Sequence, residues 1–326
     1  MKGRSRTLIA GMLVAAAVAV SGCGLNTNTG VPFTVTPGTI TPVPALQGVD
    51  ITVGSKDFTE QILLGYMAEL ALAAAGANIT DLTNIQGSSN SRLALRTGDI
   101  DVTWEYTGTG WINYLNNTEP IPDEQKQYEA VRDADLQQNG LVWLPYSPLN
   151  NTYAFGTTRA YAEQHNLRTN SDMTRFLTEN PAEAVFCVET EFASRQDGLP
   201  GVQALYGFPT TEVKSFGTGA IYSSIANGTC NFGEIFTTDG RIAGLDLAVL
   251  EDDKKFFPQY NVCVVMRDEF SRQHPEIATV MQPVAAALNN QEMIELGKKV
   301  DVDGEDAGIV AKDWMVSKGF VGADTG

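Results

Sequence analysis

The chain has 326 residues, 43% of them hydrophobic, which is enough for a sizeable core and more than one average domain needs. A formal charge of −17 excludes the Lys/Arg-rich surface that nucleic acid requires. His165 and His274 lie far apart and no C-x-x-C occurs, so a conventional zinc site has no ligands; G-x-S-x-G, H-E-x-x-H and P-loop patterns are also missing, so neither catalysis nor a cofactor is expected.

Lys2, Arg4 and Arg6 precede the apolar run "LIAGMLVAAAVAV", which ends in "VSGC" at Cys23. This is the pattern of a secretory signal peptide over 1–22, and the small residues before Cys23 look like a lipobox; a plain signal peptide cut elsewhere is the alternative. The expected mature protein is extracytoplasmic and held on the bacterial membrane by lipid on Cys23, since a cysteine with two or three acyl chains anchors far better than one chain would. Losing Lys2, Arg4 and Arg6 takes the formal charge from −17 to −20.

Residues 23–48 are rich in Thr, Pro, Asn and Gly without a sustained period, and are expected to be a flexible tether. The folded body opens with the alternating strand "VDITVGS" (49–55), followed by a helix whose Ile62, Leu63, Tyr66, Met67 and Leu70 recur at helical spacing. Strand, short loop and helix begin an α/β lobe. A short helix then ends near Gly98, a buried strand "DIDVTW" follows, and it runs into "EYTGTGW", which is expected to be a mobile Gly/Thr loop. Loops at the carboxyl ends of strands are where open α/β sheets collect ligands.

The pattern recurs in the second half. "AVFCVETEFAS" (184–194) places Phe192 as Phe58 is placed, and Phe236 lies eight residues after Gly228 as Tyr106 lies eight after Gly98. Two lobes of related topology are expected, each offering an aromatic-Thr loop. The extended segments 148–158 and 256–270 read as two crossings between them, which make a hinge. With Cys23 assigned to lipid, Cys187, Cys230 and Cys263 remain in an oxidising compartment: one pair and one leftover. Cys187 lies on the second lobe's first strand and Cys230 at the start of its next, so these two are expected to be bridged and Cys263 buried and free.

With the lobes facing, Tyr106 and Thr109 come from one wall, Phe236 and Thr237 from the other, and Tyr153 from the first crossing, while Tyr222 lies ahead of the second loop. A quaternary ammonium has no N–H to donate, so aromatic faces are what hold it, at about 0.5 to 2 kcal/mol per contact.

The motifs "ITVGSKDFTEQILLG", "GDIDVTWEYTGTGW", "NNTYAFG" and "FTTDGRI", in this order, resemble the substrate-binding components of bacterial osmoprotectant ABC importers, the glycine betaine, carnitine and choline family. The resemblance implies an α/β, two-lobed type II periplasmic-binding-protein fold, with 49–150 and 260–326 as the first lobe and 151–259 as the second, closing on a small solute and docking on an ABC permease. It makes Tyr106 and Tyr153 cage aromatics, Thr109 a ligand contact and Gln61 a polar contact; Asn151, in "NNTYA", is a further candidate ligand-binding residue. Phe236 departs from the family tyrosine, and "QGSSN" (86–90) from the family "GGT", so the solute could be another small, uncharged or aromatic one. A type II-fold enzyme and a sensory or scaffold lipoprotein are the readings from other classes. Glu105, beside Tyr106 on its strand, points the other way and is expected to be structural. Asp239 is expected to pair with Arg241 or cap a helix.

Overall fold

The computed structural model describes residues 34–323, so the expected signal peptide and Cys23 lie outside the described residues. The elements run β1 (Thr36–Pro37), β2 (Asp50–Lys56), α1 (Thr59–Ala74), β3 (Asn78–Ile85), α2 (Ser88–Thr97), β4 (Val102–Tyr106), a π-helical turn (Thr109–Tyr114), α3 (Glu124–Asn139) and β5 (Leu141–Trp143). They continue β6 (Tyr153–Thr158), α4 (Arg159–His165), α5 (Asn170–Glu179), β7 (Val185–Val188), α6 (Leu199–Tyr206), β8 (Glu212–Ser215), α7 (Thr218–Ala226), β9 (Phe232–Phe236), α8 (Arg241–Gly244) and β10 (Leu247–Leu250). The chain closes with β11 (Val262–Arg267), α9 (Asp268–Gln273), α10 (Glu276–Ala287), α11 (Asn290–Asp301), α12 (Ala307–Ser317) and β12 (Val321–Gly322).

Two five-stranded sheets result, ordered β3-β2-β4-β11-β5 and β10-β6-β9-β7-β8. In the first, β2 is parallel to β3 and β4, while β11 runs against β4 and β5. In the second, β7 is parallel to β8 and β9, while β6 runs against β9 and β10. The reversed strands are the two crossing segments: each leaves one sheet and enters the other as an interior strand. "VCVVMR" is buried nearly throughout, as a strand covered on both faces must be. The registers place Tyr153 opposite Phe236 and Val262 opposite Tyr106, so each crossing enters its new sheet beside the last residue of a parallel strand.

Helix α1 is buried almost all round, at Leu63, Leu64, Met67, Leu70, Ala71 and Leu72 among others, because it lies between β2 and β3 on one side and α10, α11 and α12 on the other. Cys187 and Cys230 are bonded across a Cα separation of 5.8 Å, and Cys263 is buried outside the bridge. The expected tether needs correction where it is described. Thr36 and Pro37 pair with Gly322 and Val321, Thr39 N–H donates to Gly319 (2.8 Å), and Ile40 and Leu46 are buried. Held by backbone bonds to the chain's far end, this stretch needs no hydrophobic period of its own, so composition alone misreads it.

Glu69 on α1 is fully buried, and burial together with the negative charge of Asp81 pushes its carboxyl up to about 9. The folded protein therefore holds a proton that the unfolded chain releases near pH 4.5. This contribution to stability is complete below about pH 4.5 and is lost as pH rises through about 9. Glu69→Gln should accordingly melt higher than the parent at pH 9 and show a shallower decline in melting temperature between pH 5 and pH 9; parallel curves would refute this.

Candidate functional site

A cavity of about 680 Å³ opens between the sheets. Its walls are built at the carboxyl ends of parallel strands: Lys56 ending β2 with Asp57 and Phe58 after it, Gln86 to Asn90 after β3, Tyr106 ending β4 with Thr109 beyond it, Glu189 to Glu191 after β7, and Phe236 ending β9. Asn151, Tyr153 and Tyr260 come from the crossings.

Five aromatic rings gather here because of the two registers. Tyr153 packs against its cross-strand partner Phe236 with the rings tilted by 36° (centroids 5.1 Å) and meets Tyr260 edge-on (5.3 Å). Phe58 bridges the lobes, stacked on Phe236 at 5.2 Å and on Tyr106 at 6.2 Å. These are the offset and edge geometries that the ring quadrupole favours.

The expected Gly/Thr loop is a helical turn instead. Gly108 has φ −62°, an ordinary helical value, and its role is close approach: a Cβ there would lie 2.6 Å from the Tyr260 ring. A Cβ at Gly110 would lie 2.8 Å from Trp143 and Val131. The glycines serve packing rather than mobility. Trp104 is buried in the core, as expected of a strand residue facing inward, and Trp111 is half-buried with its indole N–H donating to the Glu119 carbonyl at 2.8 Å.

Of the residues singled out from sequence, Tyr106, Thr109, Asn151, Tyr153 and Phe236 line the cavity, and Gln61, Tyr222 and Thr237 do not. Gln61 is buried on α1 and accepts the Lys56 backbone N–H through Oε1 at 3.3 Å. Tyr222 lies behind β9, where its hydroxyl accepts the Phe236 N–H (2.9 Å) and its ring faces the Arg241 guanidinium at 4.4 Å. Thr237 donates its backbone N–H to the Thr152 carbonyl and sits one residue past the strand end. Phe192, matched to Phe58 by sequence, is fully buried against Tyr153. Glu105 accepts from the Lys56 ammonium (2.8 Å) and the Tyr114 hydroxyl (2.7 Å), away from the cavity, and Asp239 pairs with Arg241 while accepting its backbone N–H.

Sequence reasoning passed over Phe58, Glu60, Lys56 and Arg195. The first three share the motif "KDFTEQ" with Gln61, and position at a strand's carboxyl end is the signal that selects them. Arg195 is nearly buried, with Nε and Nη2 on Asp197 (2.7 and 2.5 Å), Nη1 on Glu191 (2.7 Å), and Nη2 reaching the Thr109 hydroxyl at 3.4 Å. Glu191 also accepts the Ser88 N–H at 2.9 Å, joining the second lobe to the start of α2. Burial raises the Glu191 carboxyl, but Arg195 and Lys56 outweigh it and hold it below the usual range. Glu189 has no such cation close enough to prevail: burial pushes it up, while the Thr218 hydroxyl donates to it. Behind it, burial and the charge of Glu189 push Glu234 well up. Both cations at the cavity are thus already paired with buried carboxylates, while Asp57 and Glu189 are not.

Two α/β lobes with reversed crossing strands and an aromatic cleft between them define a solute-binding protein of the type II periplasmic kind. The chain belongs to the family described as the substrate binding domain of ABC-type glycine betaine transport system, which it matches over residues 49–317. It is 35% identical to the glycine-betaine-binding protein of Pseudomonas aeruginosa over 276 residues, covering 82% of this chain and 88% of that one. It is 31% identical to the ergothioneine transport permease/ergothioneine binding protein EgtU of Helicobacter pylori, over 86% of this chain but 49% of that longer protein. A solved glycine betaine/carnitine/choline ABC transporter structure superposes with a TM-score of 0.68 at 26% identity, covering 83% of this chain and 99% of that one.

Because Gly108 abuts the Tyr260 ring, Gly108→Ala should cost about 1 to 3 kcal/mol of stability through overpacking. Denaturant unfolding would measure it, and a variant as stable as the parent would show that the Tyr260 ring moves aside freely.

Proposed function

We propose that the protein captures a small quaternary-ammonium osmoprotectant, such as glycine betaine, carnitine or choline, in this cleft and delivers it to an ABC permease. The observation that carries the reading is the joining of five aromatic rings with uncompensated carboxylates at one cavity. A methylated ammonium is attracted by ring faces and by the acidic rim, and the two cations that would repel it are neutralised by Glu105 and Asp197. Tyr106, Tyr153, Phe236, Phe58 and Tyr260 are the aromatic wall, and Thr109 and Asn151 the polar contacts. Asn151 Oδ1, buried without a protein partner, is a candidate acceptor. Residues 49–150 with 260–326 form one lobe and 151–259 the other, hinged at the crossings.

In the same reading the protein works outside the cytoplasm, attached by lipid on Cys23. Among the described residues no helix is long and apolar enough to cross a membrane.

Calorimetry with glycine betaine, carnitine, choline and ergothioneine tests the ligand class. At least one of the first three should bind with a dissociation constant of about micromolar order. Binding of ergothioneine alone, or of none, would sink the proposal. Tyr106→Ala should then weaken binding about five- to thirtyfold without unfolding the lobe, whereas Trp104→Ala should lower stability by about 3 to 5 kcal/mol. Cys23→Ala should release the protein from the membrane fraction; undiminished retention would count against the lipid anchor.

A further inference from the structure

Glu60, the second residue of α1, is 7% exposed and lies beneath the aromatic wall. Its carboxylate is shared among three neutral donors from three parts of the chain. Oε1 accepts the Tyr106 hydroxyl (2.7 Å) from the end of β4 and the Asn151 amide (3.0 Å) from the first crossing. Oε2 accepts the Thr238 hydroxyl (2.7 Å) from the turn after β9, in the other lobe. Glu60 and Tyr106 belong to one lobe and move together, while Thr238 moves with the second. Rotating the lobes apart therefore removes one donor from a buried carboxylate, a costly loss where water is largely excluded.

A neighbouring contact has the same sense. Arg241 of the second lobe, held by Asp239, lies 3.6 Å from Asp301 of the first, and Asp301 accepts the Thr59 hydroxyl at 2.7 Å. Thr238 lines only a small side cavity and not the main one, so its bond to Glu60 is not itself a ligand contact.

We infer that Glu60 is the positioning residue of lobe closure: it aims the Tyr106 ring at the cleft and, through Thr238, holds the second lobe against the first. The inference rests on the solute-binding reading of the cleft. It assigns to Glu60 a coupling between cage assembly and closure that no ligand contact supplies.

Thr238→Val removes the cross-lobe donor without touching the main cavity. In the ligand-free protein it should increase the radius of gyration measured by small-angle scattering. In stopped-flow experiments with glycine betaine, carnitine or choline it should speed dissociation about tenfold, the scale of one hydrogen bond to a charged group, and lower the melting temperature by only the few degrees that one unsatisfied buried acceptor costs. Glu60→Ala should do the same and also lose the Tyr106 restraint. Glu60→Gln should restore near-parent behaviour, since the amide oxygen accepts from Tyr106 and Asn151 while its nitrogen donates to the Thr238 hydroxyl. Parent-like scattering and dissociation in Thr238→Val would overturn the inference even if Glu60→Ala fails to fold. If the parent binds none of the three solutes, the functional reading fails, and the ligand-free scattering of Thr238→Val against the parent still decides the role of Glu60.

Discussion

The backbone N–H groups of Thr107 and Thr237 each donate, at 3.0 Å, to the crossing segment beside them: Thr107 to the Asn261 carbonyl and Thr237 to the Thr152 carbonyl. This repeated bond closes an antiparallel pairing at the carboxyl end of a parallel strand, once in each sheet. The rest of the cleft depends on it. It fixes Tyr153 beside Phe236 and brings Tyr260, two residues ahead of β11, toward Tyr106 and Gly108. A shift of one residue in either register would turn these side chains to the opposite face of the sheet and dismantle the wall.

The same pairing explains how few covalent connections suffice to face two lobes. Besides the crossings, described contacts across the cleft include Glu191 to the Ser88 N–H, Arg195 to Thr109, and Thr238 to Glu60. Each is a single polar contact, and with the Phe58 ring stacked on Phe236 they form a smaller contact than the apolar packing within either lobe. A surface of this kind can separate and re-form, which is what ligand entry and release demand.

The acidity of the chain has a local counterpart. Buried Lys56 and Arg195 do not stabilise the fold in proportion to their charge, because removing such ions from water offsets most of the attraction to Glu105 and Asp197. Their effect is on the potential of the cavity: paired with Glu105 and Asp197, neither leaves an uncompensated positive charge on its wall. A cationic head on a solute meets no unpaired cation there.

The sequence by itself determined the elements and the cleft's position. Period-2 and period-3.6 patterns marked β2, α1, β4 and β9, the carboxyl ends of β4 and β9 pointed to Tyr106 and Phe236, and the first crossing pointed to Tyr153. Cysteine arithmetic with strand order pointed to Cys187 and Cys230. Only the tertiary structure decided what each polar neighbour faces. Glu60 and Gln61 are adjacent in one motif, yet on a helix consecutive residues diverge by about 100°, so one carboxylate reaches three donors while the neighbouring amide is tied to β2. Tyr222, Thr237 and the stretch from Thr36 to Leu46 were misread for one reason. Their partners lie far away in the chain or across a sheet, and local pattern carries no record of long-range backbone pairing.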